Sequence, residues 1–316
     1  MDLRSKPNLW FRYLLTTLSP KCVIRVLFRL CHHRWPDLKN PKTLDEKIQW
    51  MKLNYYKDND LVKQCADKYR VREYVQEAGF GHILNDIVTS YHSASEINWD
   101  ELPERFVLKW NFGNGGNVVC TDKSKLDKEK AVRELNAFRK IKFHLLAAEP
   151  QYDLTESEKI LLCEKFIPTA DGQPPVDYKF YCFNGKAEYV FCCIGRGQQA
   201  KPSFYFFNRQ WELQRLNKNS KEAPEGFTIP KPEGMDQLFD IAESLSKPFP
   251  FVRADFYLEN GKPYFGELTF TPGGGFDYGR LPETDLLFGE MVDLRRDEDM
   301  NLVETRQSHR KTMITG

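Results

Sequence analysis

This chain has no excess charge of either sign. Its 46 Lys and Arg stand against 45 Asp and Glu, a formal net charge of +1 over 316 residues. No global field therefore favours a nucleic-acid partner. Cysteine framing is missing as well. The eight cysteines are scattered, none forms a CxxC, and no zinc-ligand spacing occurs. They read as reduced thiols of a cytoplasmic protein. No secretory signal is visible, because Arg12, Lys21, Arg25 and Arg29 interrupt the apolar N-terminus and no small-residue cleavage site follows. The same charges exclude a spanning helix. Internal repeats and low-complexity tracts are also absent.

Aromatic residues are plentiful, with 23 Phe, 14 Tyr and 6 Trp, and the length suffices for two or three packed lobes. The first 35 residues carry seven Lys and Arg and one acid, Asp2. Two readings are open for this basic amphipathic segment: a helical pair packed on the body, or a face resting on an anionic membrane through Trp10, Phe11 and Phe28. Apolar spacing predicts a helix over 41–56 and a second from about Asn59, closed at Gly79. "RFVLKW" and "NVVCTD" read as strands, "KAVRELNAFRKIKFHLL" as one amphipathic helix and "KILLCEKFI" as a short buried strand. "VDYKFYCFNGKAEYVFCCI" reads as a hairpin about Asn184–Gly185. A loop over 220–234 precedes a helix that Pro248 ends, and the charged tail after Leu294 is expected to fray.

Two stretches carry chemistry. In "FVLKWNFGNGGNVVC" the glycines suggest a phosphate loop, but a P-loop needs its lysine after the last glycine and then a helix. Here Lys109 comes first, and Val118 and Val119 follow. The pattern instead predicts a hairpin whose flexible tip, Gly113, Asn114, Gly115 and Gly116, lays backbone N–H groups over phosphates. Lys109 would hold a phosphate oxygen as a point charge. A plain hairpin with a glycine-rich turn is the alternative.

The second stretch is "FVRADFYLENGKPYFGELTF". A two-residue turn at Asn260–Gly261 pairs Leu258 with Pro263 and puts Asp255 and Glu267 on opposite faces. A three-residue loop, 260–262, pairs Asp255 with Glu267 and segregates apolar from polar residues far better. We therefore expect the three-residue loop, with Arg253, Asp255, Tyr257, Phe265, Glu267 and Thr269 on one face. Opposed carboxylates repel unless a cation stands between them, and Arg253 or Mg²⁺ could serve. If the pair is otherwise bare, removing one acid should leave the apo protein at least as stable. A surface ion-pair cluster is the alternative here.

These motifs, in this order, resemble the ATP-grasp superfamily, over about residues 67–280. The early "TLDEKIQWMKL", "FVLKWNFGNGGN" and "FGELTFTPGGGF" look like its TupA-like branch, associated with bacterial surface-polysaccharide genes. The resemblance implies an α+β ATP-grasp fold, two α+β lobes clasping ATP behind a helical N-terminal segment. The expected divisions are 1–66, 67–165, 166–294 and a tail 295–316. It implies that Lys68 in "DKYRVREYVQEAG" reaches the nucleotide, as does Lys109. Glu164 and the backbone around Lys165 and Ile167 would meet adenine, and Lys165 or Lys179 the phosphates or ribose. Asp255 and Glu267 would hold Mg²⁺. Superfamily members usually carry Asn two residues after the second acid, where this chain has Thr269. Many also carry an α/β domain ahead of the Asp-Lys segment, where this chain reads as helical.

The implied activity is an ATP-dependent carboxylate–amine ligase in surface-polysaccharide biosynthesis, acting on a small or glycan carboxylate and an amine in the cytoplasm or at the inner membrane face. Arg253 would add fixed positive charge, and Arg280, unless an ordinary surface arginine, would orient the substrate carboxylate. The rivals are a nucleotide-sugar glycosyltransferase, for which no Asp-x-Asp triplet stands at a strand end, and an ATP-binding scaffold without activity.

Overall fold

The computed structural model describes residues 6–167, 169, 175–194, 202–277 and 279–294; the tail expected at 295–316 lies outside them. The chain opens with helices α1 (Lys6–Leu18) and α2 (Pro20–His32). The Ser19 hydroxyl caps α2, with Pro20 at its first position, and His33 ends it in the left-handed region. Helix α3 (Leu44–Asn54) starts in a capping box of Thr43 and Glu46, three residues inside the expected start. Helices α4 (Asp60–Ala66) and α5 (Val71–Val75) follow. The single helix expected from Asn59 is thus interrupted. The Asp67 carboxylate accepts from the Tyr69 and Arg70 N–H groups, and the Lys68 N–H donates to the Asn111 carbonyl instead of the preceding turn. Gly79 then closes the following turn at φ 87°.

The first sheet has strand order β1-β4-β2-β3, from β1 (Ile87–Tyr91), β2 (Phe106–Trp110), β3 (Val118–Cys120) and β4 (Leu161–Lys165). Helix α6 (Lys128–Arg139) buries Ala131, Leu135 and Phe138 against it. A separate short helix, α7 (Phe143–Leu146), follows. One continuous helix was expected here, but tertiary packing breaks it: Phe143 turns back onto Phe112 and Phe138, with ring centroids 6.0 and 5.1 Å away.

The second sheet has strand order β10-β9-β5-β6-β7-β8, with every pairing antiparallel. Its strands are β5 (Asp177–Phe183), β6 (Lys186–Ile194), β7 (Ser203–Phe207), β8 (Leu213–Gln214), β9 (Phe251–Glu259) and β10 (Lys262–Thr269). Helix α8 (Lys218–Glu222) overlaps the start of the expected loop, α9 (Met235–Ser246) covers one face, and α10 (Pro282–Met291) packs against α3. Both hairpins turn on Asn-Gly with two positive φ values, 51° and 81° at 184–185, and 51° and 71° at 260–261, as a tight two-residue turn requires.

The β9–β10 register corrects the sequence reading. Pro263 pairs with Leu258, so the turn has two residues, not three. A bulge between Phe265 and Glu267 then inserts one residue, and Glu267 still faces Asp255. A Cβ on Gly266 would come within 2.8 Å of the Asp255 carbonyl, which is why this position lacks a side chain. The two-residue turn puts Phe265 on the buried face, opposite Phe256, and pairs Tyr264 with Tyr257, while the bulge resets the register only from Glu267 onward. The expected faces of these two residues are thus exchanged.

Candidate functional site: a cationic cleft around two carboxylates

Strands β5, β9 and β10 lie side by side, and their registers create a row. Lys179 pairs with Asp255, which pairs with Glu267; one step along, Tyr181 pairs with Arg253, which pairs with Thr269. The like charges of the opposed carboxylates are therefore flanked at once. Lys179 Nζ lies 2.7 Å from Asp255 Oδ2 and 2.7 Å from Asp177. Arg253 donates through Nε and Nη2 to both Asp255 oxygens, at 2.7 and 2.6 Å. It also donates to the Thr269 hydroxyl, which in turn donates to Glu267 at 3.2 Å.

The first lobe closes over this row. Lys68, freed by the break between α4 and α5, donates to the Gly113 carbonyl at 2.6 Å and lies 3.3 Å from Glu267. Lys109 pairs with Glu164 at 2.8 Å, from the neighbouring strand β4. Burial pushes the Glu267 carboxyl up, but the fields of Lys68, Lys179, Arg253 and Lys109 outweigh it and bring it to about 2. For Lys179, burial lowers the ammonium; Asp255 and Asp177 raise it more, and the net shift is upward. Four cations thus face four carboxylates, Asp177, Glu164, Asp255 and Glu267.

The glycine tip is folded down, not free. Gly113, Gly115 and Gly116 have φ of 69°, 89° and 69°, in the region glycine enters without strain. A Cβ on Gly113 would sit 2.6 Å from the Phe143 ring, and one on Gly116 2.1 Å from Phe138. Asn114 and Gly115 are exposed at the apex. Asn111 locks the base: its amide donates to Asp67 at 2.6 Å and to the Glu158 carbonyl, and its side-chain oxygen accepts from the Ile160 N–H.

Not every expected residue joins the cleft. Lys165 alternates away from Glu164; its ammonium pairs with Asp86 at 2.8 Å and is 63% exposed. Its backbone N–H donates to the Asp86 carbonyl, and its carbonyl accepts from Asn85. The Lys165 side-chain role at phosphate or ribose is therefore not what the structure shows, whereas Lys179 is in the row. Ile167 is half-buried just beyond β4. Arg280 is no surface arginine. It is buried, donating to Asp45 at 2.8 Å, Asp285 at 2.9 Å and Asp277 at 3.3 Å. Those bonds tie α3 to α10, so a substrate-orienting role for Arg280 lacks a free donor face. With His32, Asp45 and Asp285 form the one compact His/carboxylate group among the described residues, but Arg280 already engages both carboxylates.

Sequence reasoning missed Asp177, although its spacing of two from Lys179 in a strand was the available signal. It also missed what "TLDEKIQWMKL" does. Asp45, Gln49 and Lys52 lie on one face of α3, fully buried or nearly so. Gln49 donates to the Gly275 carbonyl, and Lys52 to those of Gly274 and Ala147. Asp45 accepts from the Asp277 N–H at 2.9 Å. Helix α3 is thus the seat of the glycine turn that follows β10. At the head of that turn, the Thr271 hydroxyl donates to Glu149 and accepts from Gln151.

Lysines from one lobe converging on a carboxylate row of the other define a cleft suited to a polyphosphate and a hard cation. The family model described as TupA-like ATPgrasp matches residues 46–293, and the chain belongs to that family, with its ATP-grasp fold. Among solved structures it is similar to D-alanine–D-alanine ligase from Bacillus anthracis, at 17% identity, covering 75% of this chain and 70% of that one with a TM-score of 0.44. It is similar to an L-amino acid ligase from Bacillus licheniformis, at 13% identity, 82% and 57% coverage and a TM-score of 0.44. A third is the ADP complex of purK, an N5-carboxyaminoimidazole ribonucleotide synthetase, at 14% identity, 79% and 57% coverage and a TM-score of 0.41. No curated protein sequence matches the chain.

Proposed function

We propose that the protein is an ATP-dependent carboxylate–amine ligase. In this reaction class a substrate carboxylate oxygen attacks the γ-phosphorus and ADP leaves. An amine nitrogen then attacks the acyl carbon, inorganic phosphate leaves and the amine gives up its proton. The observation that carries the reading is the convergence of Lys68, Lys109, Lys179 and Arg253 on the Asp255–Glu267 pair. Family membership supports it.

Asp255 and Glu267 are the residues that would hold Mg²⁺, which when bound neutralises charge on transferring phosphates. The donor set fits: two hard oxygens opposed on adjacent strands, with the Glu267 side chain 36% exposed. Both Asp255 oxygens are engaged by Arg253 and Lys179, so a cation would gain Asp255 only as these turn toward phosphate. Thr269, hydrogen-bonded to Glu267, would orient that carboxylate. Lys68 and the backbone of the glycine tip would hold the phosphates, with Lys109 released from Glu164 to join them. Glu164 and the backbone near Ile167 would line the adenine side.

The acid we propose is a uronic acid, free or on a surface glycan precursor, joined to an amino acid or small amine in the cytoplasm. ADP release across uronic acids and amines tests the reading, with hydroxylamine added to trap an acyl phosphate as the hydroxamate. Carboxylate-dependent ADP release with hydroxamate formation is the expected result. Transfer from a nucleotide sugar without ATP would replace the ligase with the glycosyltransferase, and no turnover with any pair would favour the scaffold.

A further inference from the structure

Helix α2 divides its residues cleanly. Val23, Ile24, Leu27 and Phe28 are buried, against Ala147, Ala148 and Phe276. Phe28 therefore faces inward, contrary to the outward role the sequence suggested. Outward stand two parallel rows at intervals of four: Lys21, Arg25 and Arg29, and beside them Cys22, Val26 and Leu30. Helix α1 has the same division. Arg12 and Thr16 face in, while Trp10, Phe11, Leu14 and Leu18 face out, with Trp10 72% and Leu18 75% exposed. Trp35 adds a third exposed aromatic, under the Arg25 guanidinium at 5.4 Å.

This concentration is local. Seven of the twelve large apolar side chains most exposed among the described residues fall between Trp10 and Trp35. Such a patch needs a covering. Charge identifies it. Arg34 is neutralised by Glu46 and Arg12 is buried, but no carboxylate pairs with Lys21, Arg25 or Arg29 among the described residues. No described helix is long and apolar enough to cross a membrane. Basic and apolar rows side by side on one outward face, with no outward acid on α1 or α2 among the described residues, match an interface of anionic headgroups over acyl chains.

We propose that the outward face of α1 and α2 docks on an anionic lipid surface, lying in the interface without crossing it. Trp10, Phe11, Leu14, Leu18, Val26 and Leu30 enter the acyl boundary, and Lys21, Arg25 and Arg29 meet the headgroups. The docking does not depend on the ligase reading.

The test is cosedimentation of the full chain with vesicles of phosphatidylcholine alone and of phosphatidylcholine mixed equally with phosphatidylglycerol, at low and high salt. Binding to the mixed vesicles is expected, weakening as salt is raised. Each exposed basic residue contributes roughly fivefold to partitioning. Arg25→Gln with Arg29→Gln should thus lower it about 25-fold, and Trp10→Ser with Phe11→Ser should lower it as well. Both pairs are exposed and should melt as the wild type does. Equal pelleting on the two compositions, negligible or strong, overturns the proposal. So does a wild-type dimer, seen by sedimentation velocity without vesicle binding, that the Trp10/Phe11 variant dissolves; the covering is then a second copy of the chain.

Discussion

The Lys68 ammonium lies 3.3 Å from the Glu267 carboxylate and also donates to the carbonyl of Gly113. One side chain thus links the glycine tip of the first lobe to the carboxylate row of the second. In the absence of ligand it holds the cleft together, and a polyphosphate would compete with Glu267 for it.

A divalent ion alone should therefore bind poorly, because four cations already neutralise the carboxylates. Mg²⁺ without nucleotide is expected to leave the melting temperature unchanged, whereas Mg²⁺ with ATP should raise it. At a hundredfold excess over its dissociation constant a ligand adds about 2.7 kcal/mol. Differential scanning fluorimetry over the four combinations checks this, and a rise with Mg²⁺ alone would contradict the charge accounting.

Glu267→Gln should abolish ATP turnover and lower the stability of the apo protein. Two bare carboxylates would predict the opposite, but the structure embeds Glu267 among Lys68, Lys179, Arg253 and Lys109. Its carboxyl is lowered to about 2. A depressed acid stabilises the fold above the ordinary carboxylate range and loses that contribution as pH falls toward its folded value. Because the group is partly exposed, the loss should be small, about 2 °C in melting temperature at neutral pH. The gap between wild type and variant should close between about pH 4 and pH 2.

Lys109→Ala should weaken ATP binding by about 1.5–3 kcal/mol, the cost of a lost charged hydrogen bond. It should also destabilise the apo protein, since Glu164 loses its partner in a mostly buried position. Adding Glu164→Gln to Lys109→Ala should restore stability while ATP affinity stays low. Calorimetry and thermal melting on the three variants separate the two roles.

Gly116→Ala should loosen the tip and raise KM for ATP. The new methyl meets Phe138 at 2.1 Å with φ at 69°, a combined overpacking and backbone cost of about 1–3 kcal/mol. Phe138→Leu should recover part of the loss by relieving the clash, leaving the backbone strain.

Lys52 gives a distinct pH signature. Burial lowers its ammonium to about 8, against the pull of Glu149 and Asp45. A lysine lowered on folding gives up its proton earlier in the native state, so stability rises with pH from about 8 toward the ordinary lysine value of about 10.4. The stability of wild type relative to Lys52→Met should increase across that window. A pH-independent difference would mean Lys52 does not titrate there.

The cleft was legible because its chemistry is written in short strands with local turns. Lys109 ahead of its glycines and the Asn184–Gly185 hairpin follow from spacing, and the Asp255–Glu267 pairing was reached through polar and apolar segregation, though with the wrong loop length. The loop length between β9 and β10 was misjudged because binary patterning assumes an unbroken pleat. A bulge at Gly266 changes the face halfway along, so a two-residue turn and a matched acid pair coexist. The breaks at Asp67 and after Arg139 escaped for a different reason. Both sit inside continuous helical patterns and are imposed by partners distant in sequence, Asn111 for the first and the Phe112 ring for the second. Arg280 was misread because its partners Asp45 and Asp285 come from helices whose contact no local spacing reveals.

Helix α3 grips the glycine turn across a long span of chain, with Asp45 and Arg280 235 positions apart and Lys52 and Gly274 222 apart. Contacts of such separation form late, after nearer pairings have shortened the intervening loop. During synthesis α3 must wait for a turn made 222 residues after Lys52. Until they meet, Asp45 lacks the Arg280 guanidinium and Lys52 the Gly274 carbonyl, and α3 has less reason to bury them. A growing chain would thus carry both sheets in place while the turn beside the carboxylate row is still unformed, and the cleft becomes complete only when that turn docks on α3.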